Sequence, residues 1–134
     1  MSWAQSLIKL STFEVETLQK RVREIEDRRA SARLALVRLD REGEEETTRA
    51  SADAEAGWYL IGFREGLKAR RAKVLSELLT LDLEAQGARD ALATAFEAQK
   101  KYEHVAEAAR VELRREQGRR EGAALDELAL RRAG

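Results

Sequence analysis

Not one of the 134 residues is proline. Nothing in the chain therefore forces a helix to kink or stop, and what the chain becomes depends on where its apolar residues recur. From Ile8 the strong apolar positions run Val15, Leu18, Val22 and Ile25, and after a polar gap at Arg29 they resume at Ala32, Leu36 and Leu39. The steps are sevens, threes and fours, the mark of a narrow heptad seam on a helix. A second series runs Val74, Leu78, Leu81, Ala85, Ala88, Leu92, Ala95, Gln99, Tyr102, Ala106, Ala109 and Leu113, alternating fours and threes, with Phe96 and Val105 on its flanks. A single helix with one such stripe has nothing to bury it against, so each series predicts the other as partner. Small residues at Ala85 and Ala88 allow close approach.

Composition supports this reading. Ala (23), Glu (19), Arg (19), Leu (18) and Lys (6) supply 85 residues, well above the ~50% that marks coiled coils and long helices. Of the hydrophobic residues so many are Ala that the larger ones fill a seam between helices and not a layered globular core. There is no Cys, which excludes a disulfide framework, a thiolate metal site and a cysteine nucleophile. Lys plus Arg and Asp plus Glu each total 25. A dedicated nucleic-acid binder carries a basic excess that is missing here. No secretory leader, membrane span or prenylation motif is read, and the chain is expected to be cytoplasmic.

The reversal between the helices is expected at residues 56–66. The segment Ala56-Gly57-Trp58-Tyr59-Leu60-Ile61-Gly62-Phe63-Arg64-Glu65-Gly66 holds three of the eight glycines and three of the seven aromatics. Each glycine costs about 1 kcal/mol inside a helix and supplies the backbone freedom of a turn. The expected fold is all-α: one elongated antiparallel two-helix coiled-coil hairpin over 1–134, with helix one at about 4–56, a tip at about 57–66, and helix two at about 64–131. The alternative is one continuous helix of ~200 Å paired in a dimer. If the chain turns near residue 60, position i faces about 121 − i. Residues 40–55 hold seven carboxylates against Arg41 and Arg49, and residues 66–81 hold Lys68, Arg70, Arg71 and Lys73 against Glu77. Such complementary blocks flanking a seam fix partner and orientation, so they favour the hairpin. In this register Leu18, Val22 and Ile25 lie near Tyr102, Gln99 and Phe96, and residues after about 120 have no opposite number.

No constellation for catalysis is found. His104 is the sole histidine and reads as a helix-surface residue, so no metal and no cofactor is expected. The carboxylates Glu42 to Glu46 read as a solvated or salt-bridged face. Acid–base chemistry needs a water-excluding cleft, which a two-helix hairpin lacks, and the chain is expected not to be an enzyme. The Arg-rich stretch 110–120 has no interleaved aromatics for base stacking and reads as the flank of a protein interface. Trp58, Tyr59, Leu60, Ile61 and Phe63 either plug the end of the seam or dock on a partner, as Trp and Tyr are enriched in binding hot spots.

Several segments in order resemble the family of the flagellar export protein FliJ, in the short form found in alphaproteobacteria. They are SWAQSLIKLSTFEVETLQKRVREIEDRR, the turn region AGWYLIGFREGL, AFEAQKKYEHVAE and the ending REGAALDELALRR. The aromatic-glycine segment and the DEL-x-L-R-R ending carry most of the weight. The resemblance implies an antiparallel coiled coil in the flagellar type III export apparatus that binds the hexameric export ATPase and the export gate and escorts export chaperones. It implies a location at the inner face of the cytoplasmic membrane, held there by protein partners. Following the family's layout, the ATPase-facing end comprises Leu7, Ile8, Leu10 and Phe13 with Leu125, Leu128, Arg131 and Arg132. The gate-facing tip comprises Trp58, Tyr59, Phe63 and Leu67. A monomeric hairpin is expected. The competing expectation is an unrelated homodimeric structural coiled coil or scaffold.

Overall fold

In a computed structural model, which describes residues 3–52 and 57–133, the chain forms two α-helices, α1 (Trp3–Ala52) and α2 (Gly57–Ala133). They pack side by side in opposite directions, so the fold is the expected all-α hairpin. Both apolar series form its seam. Val15, Ile25, Ala32 and Leu39 of α1 and Ala85, Ala88 and Ala95 of α2 are buried, while their charged neighbours face water. The burial pattern follows the heptad because 3.5 residues per turn returns every seventh side chain to the partner helix.

The helices belong to two compact units: residues 17–92, and residues 1–16 with 93–134. In the unit of residues 17–92, Ile25 is 1% exposed and packs with Ala85 and Ala88, flanked by Val22 and Leu81. The two alanines let one large side chain occupy the space between the backbones. Burying an isoleucine side chain contributes on the order of 2–3 kcal/mol. Arg29, at the polar gap of the seam, is held from both helices: its Nε donates to Asp82 Oδ1 at 2.8 Å and its Nη1 to Glu26 at 3.0 Å. Gly43 provides a further close approach, since a Cβ there would stand 2.8 Å from Leu67 Cδ2.

The turn does not fall at residues 57–66. That segment forms the first helical turns of α2, and no glycine of the described residues has a positive φ. Its glycines are thus accommodated within a helix and do not form the bend. α1 ends at Ala52 and α2 begins at Gly57. Residues 53–56, the end of the expected first helix, lie outside the described residues.

An earlier turn shifts the register. Asp40 meets Arg71, Arg29 meets Asp82 and Thr47 meets Arg64, pairs whose residue numbers all add to 111 and not to the expected 121. Ile25 therefore packs on Ala85 and Ala88, whereas Phe96 was expected beside it. The complementary charge blocks do face each other, as Asp40–Arg71 and Glu42–Arg70 pairs at 3.0 and 3.5 Å, but ten positions away from the expected match. Within the other unit Thr12 pairs with Gln99, again adding to 111.

Candidate functional site

In the unit of residues 17–92 the four expected tip residues divide between two faces. Phe63 and Leu67 are half-buried, as is Leu60, whereas Trp58, Tyr59 and Ile61 are exposed. Trp58 is 78% exposed, so it does not plug the seam. The Tyr59 and Phe63 rings stack with centroids 6.3 Å apart at an interplanar angle of 29°, a spacing in the favourable range for aromatic pairs. One helix face thus supplies a fixed inward edge and leaves a Trp and an Ile outward. Gly62, between them, has open space where a side chain would stand.

The second expected surface lies in the unit of residues 1–16 and 93–134. Leu7 and Ile8 are half-buried, while Leu10 and Phe13 are exposed. Ser11 turns inward and its Oγ donates to the Ile8 carbonyl at 3.0 Å. Gln99 Nε2 donates to Thr12 Oγ1 at 3.1 Å, a polar layer that fixes which turns of the two helices meet. Trp3, Ala4 and Ile8 line a groove with Ala106, Ala109 and Leu113, the last part of α2 that the described residues of α1 reach.

The overhang of α2 consequently begins after Leu113, earlier than residue 120. From Glu112 to Ala133 every residue but Gly122 is exposed. The seam positions themselves change character there, since the heptad steps beyond Leu113 fall on Glu116, Arg120, Ala123 and Glu127. Charges along this stretch pair within α2: Arg119–Glu112 at 3.0 Å, Arg120–Glu116 at 2.8 Å and Arg131–Glu127 at 3.1 Å. Arg110 similarly pairs with Glu107. Leu125, Leu128 and Leu130 are exposed with no apolar cover among the described residues, and Arg132 is exposed beside them. Leu125 lies about 18 Å along the helix from Leu113 at 1.5 Å per residue. The structure therefore does not join Leu7, Ile8, Leu10 and Phe13 with Leu125, Leu128, Arg131 and Arg132 into one continuous patch.

Chemistry-bearing side chains are spread out. Among the described residues no three His, Cys, Asp or Glu stand together as metal ligands. Glu42 and Glu46 are taken up by Arg70 and Arg49. No helix among the described residues is long and apolar enough to cross a membrane. One group escaped the sequence reading. Leu75, Leu79 and Leu83 are exposed on α2, and their i, i+4, i+8 spacing was the signal that a second helical stripe runs beside the seam.

Two curated relatives, both named "Flagellar FliJ protein" and both from Caulobacter vibrioides (strains NA1000 / CB15N and ATCC 19089 / CIP 103742 / CB 15), are each 51% identical to this chain over 131 residues. The match covers 98% of this chain and 94% of each relative. No family model matches, and no solved structure matches. Identity at this level over nearly the full length assigns the chain plainly: it belongs to the flagellar FliJ family.

Proposed function

We propose that the chain is a non-enzymatic component of the flagellar type III protein export apparatus, a binding protein for the export ATPase, the export gate and export chaperones. The observation that carries this reading is where apolar side chains remain uncovered once the seam is filled. The seam covers the main apolar stripe of each helix within one chain, which supports a monomeric hairpin over a homodimeric scaffold. What it leaves exposed are Trp58 and Tyr59 in one unit and Leu10, Phe13, Leu125 and Leu128 in the other. Large exposed apolar residues in groups mark binding surfaces, and Trp and Tyr are the side chains that most often anchor them.

In this reading Leu7, Ile8, Leu10, Phe13, Leu125, Leu128, Arg131 and Arg132 meet the ATPase. Trp58, Tyr59, Phe63 and Leu67 meet the gate, and the protein works in the cytoplasm at the inner face of the membrane through those partners. The test is binding of the purified chain to the export ATPase and, separately, to the cytoplasmic part of the export gate. Leu125→Asp with Leu128→Asp is expected to abolish ATPase binding and spare gate binding. Trp58→Ala is expected to do the reverse, with helicity by circular dichroism unchanged in both. Loss of both activities together, or of neither, would remove the two-surface reading.

A further inference from the structure

Within residues 17–92, α2 has two apolar stripes, and α1 covers only one. The covered stripe is the seam through Leu67, Val74, Leu78, Leu81 and Ala85. The other runs along the exposed side through Trp58, Ile61, Ala72, Leu75, Leu79 and Leu83, with Glu65 and Ala69 filling the interval between Ile61 and Ala72. Its steps are threes and fours throughout, covering 58 to 83 in seven steps. That average is close to 3.6 residues, so the stripe stays on one face of the helix along its whole length. Trp58 is 78% exposed, Leu79 67% and Leu83 77%. Solvated polar residues would serve a merely surface-facing helix, and a second stripe at helical period is the pattern by which one helix receives another.

We infer that this exposed stripe of α2 is the seat of a helix from a partner protein, an amphipathic helix whose apolar face is flanked by carboxylates. Charge selects the occupant. Arg70 and Arg71 are engaged by Glu42 and Asp40 of α1, whereas Lys68 and Lys73, on either side of Ala69 and Ala72, make no ion pair among the described residues. A second copy of this chain laid antiparallel on the stripe, Trp58 against Leu83, brings Lys68 opposite Lys73 and repeats the clash by symmetry. Carboxylates at the flanks of a foreign helix meet both ammonium groups instead. Ala69 and Ala72 at the middle let that helix come close, while Trp58 and Ile61 at one end and Leu75, Leu79 and Leu83 at the other provide the apolar contacts. At Trp58 this stripe shares a residue with the gate-facing surface proposed above and there rests on that reading. Leu79 and Leu83 lie outside it, so the two fail separately.

The test uses the full chain and two synthetic helical peptides of ~21 residues, three heptads, with identical Leu and Ala at 3–4 spacing and either Glu or Lys at the flanking positions. Fluorescence anisotropy of the labelled peptides is expected to show binding of the Glu-flanked peptide at least ~10-fold tighter than its Lys-flanked twin, a difference of about 1.4 kcal/mol. Leu79→Asp with Leu83→Asp is expected to weaken the Glu-flanked peptide at least ~10-fold and leave helicity unchanged. Lys68→Glu with Lys73→Glu is expected to reverse the preference between the twins, a readout that needs no apolar substitution. Leu34→Asp, at an exposed leucine of α1, is expected to leave binding as it was. No binding of the Glu-flanked peptide, equal binding of the twins, or indifference to the Leu79 and Leu83 changes would overturn the inference. So would a dimer in sedimentation equilibrium that those changes dissolve, which would give the stripe to a second copy.

Discussion

The unit of residues 17–92 and the unit of residues 1–16 with 93–134 draw on the same two helices, yet their charges point in different directions. In the first, ion pairs cross from helix to helix: Arg29–Asp82, Arg71–Asp40, Arg70–Glu42 and Arg89–Glu26. In the second, from Arg110 onward, they run along α2 itself, as in Arg120–Glu116 and Arg131–Glu127. Crossed pairs fix a partner and a register, whereas pairs three or four residues apart sustain a helix that has no partner, at about 0.2–0.5 kcal/mol each. The difference separates a part of α2 whose seam is satisfied within the chain from a part kept helical with its apolar side chains exposed.

That contrast breaks most readily at Ile25. Ile25→Ala empties the space between Ala85 and Ala88 and is expected to cost about 3 kcal/mol in thermal or denaturant unfolding. Leu128→Ala, a comparable cut on the overhang, is expected to cost less than ~0.5 kcal/mol. An equal cost at the two positions would mean that the overhang is packed on something in the free protein. A smaller effect separates the glycines of the overhang from their surroundings. A Cβ at Gly118 or Gly122 meets open space, so Gly118→Ala and Gly122→Ala are each expected to stabilise the local helix by up to ~1 kcal/mol. The readout is slower amide exchange over 114–133, with the exchange of residues 17–92 unaltered.

Arg29 sharpens the other side of the comparison. Its side chain is 15% exposed at a seam position, where charge is retained only because Glu26 and Asp82 receive it. Removing one partner leaves the Glu26 and Asp82 carboxylates, 35% and 44% exposed, without their counter-charge, so Arg29→Leu is expected to lower stability by about 1 kcal/mol, read as a fall in melting temperature. A rise would mean that burying the Arg29 charge costs more than its pairs with Glu26 and Asp82 return. The smallest expected effect comes from salt. Raising NaCl toward 1 M shortens the screening length to about 3 Å and is expected to loosen α2 after Glu112 more than residues 17–92, by a few tenths of a kcal/mol per exposed pair.

Both seams were legible in the sequence because the heptad is a local, repeated signal. Val74 to Leu113 reads as a helix face whatever lies opposite. The register was not legible, because it depends on one event, the reversal, and the chain marks that event poorly. Gly57, Gly62 and Gly66 drew the turn toward residue 60, but a glycine also fits a helix at modest cost, and these do. A shift of five residues in the turn moves every cross-helix pair by ten. The exposed stripe through Leu75, Leu79 and Leu83 was hidden for a different reason. The seam series is the stronger apolar signal on α2, and the weaker series is diluted by Glu65 and two alanines. Of the candidate site, Trp58 and Tyr59 were found because aromatics are rare in this chain, and the overhang was found because it has no apolar partner in either register.

The central claim is that α1 and α2 of one chain form the seam in the register that places Ile25 against Ala85. The absence of cysteine makes this directly measurable with two introduced thiols. Ile25→Cys with Ala85→Cys, oxidised at low protein concentration, is expected to give an intramolecular disulfide that migrates as a monomer. Ile25→Cys with Phe96→Cys, the pair demanded by a turn near residue 60, is expected to stay reduced. A covalent dimer from the first pair, or closure of the second in its place, would contradict the account.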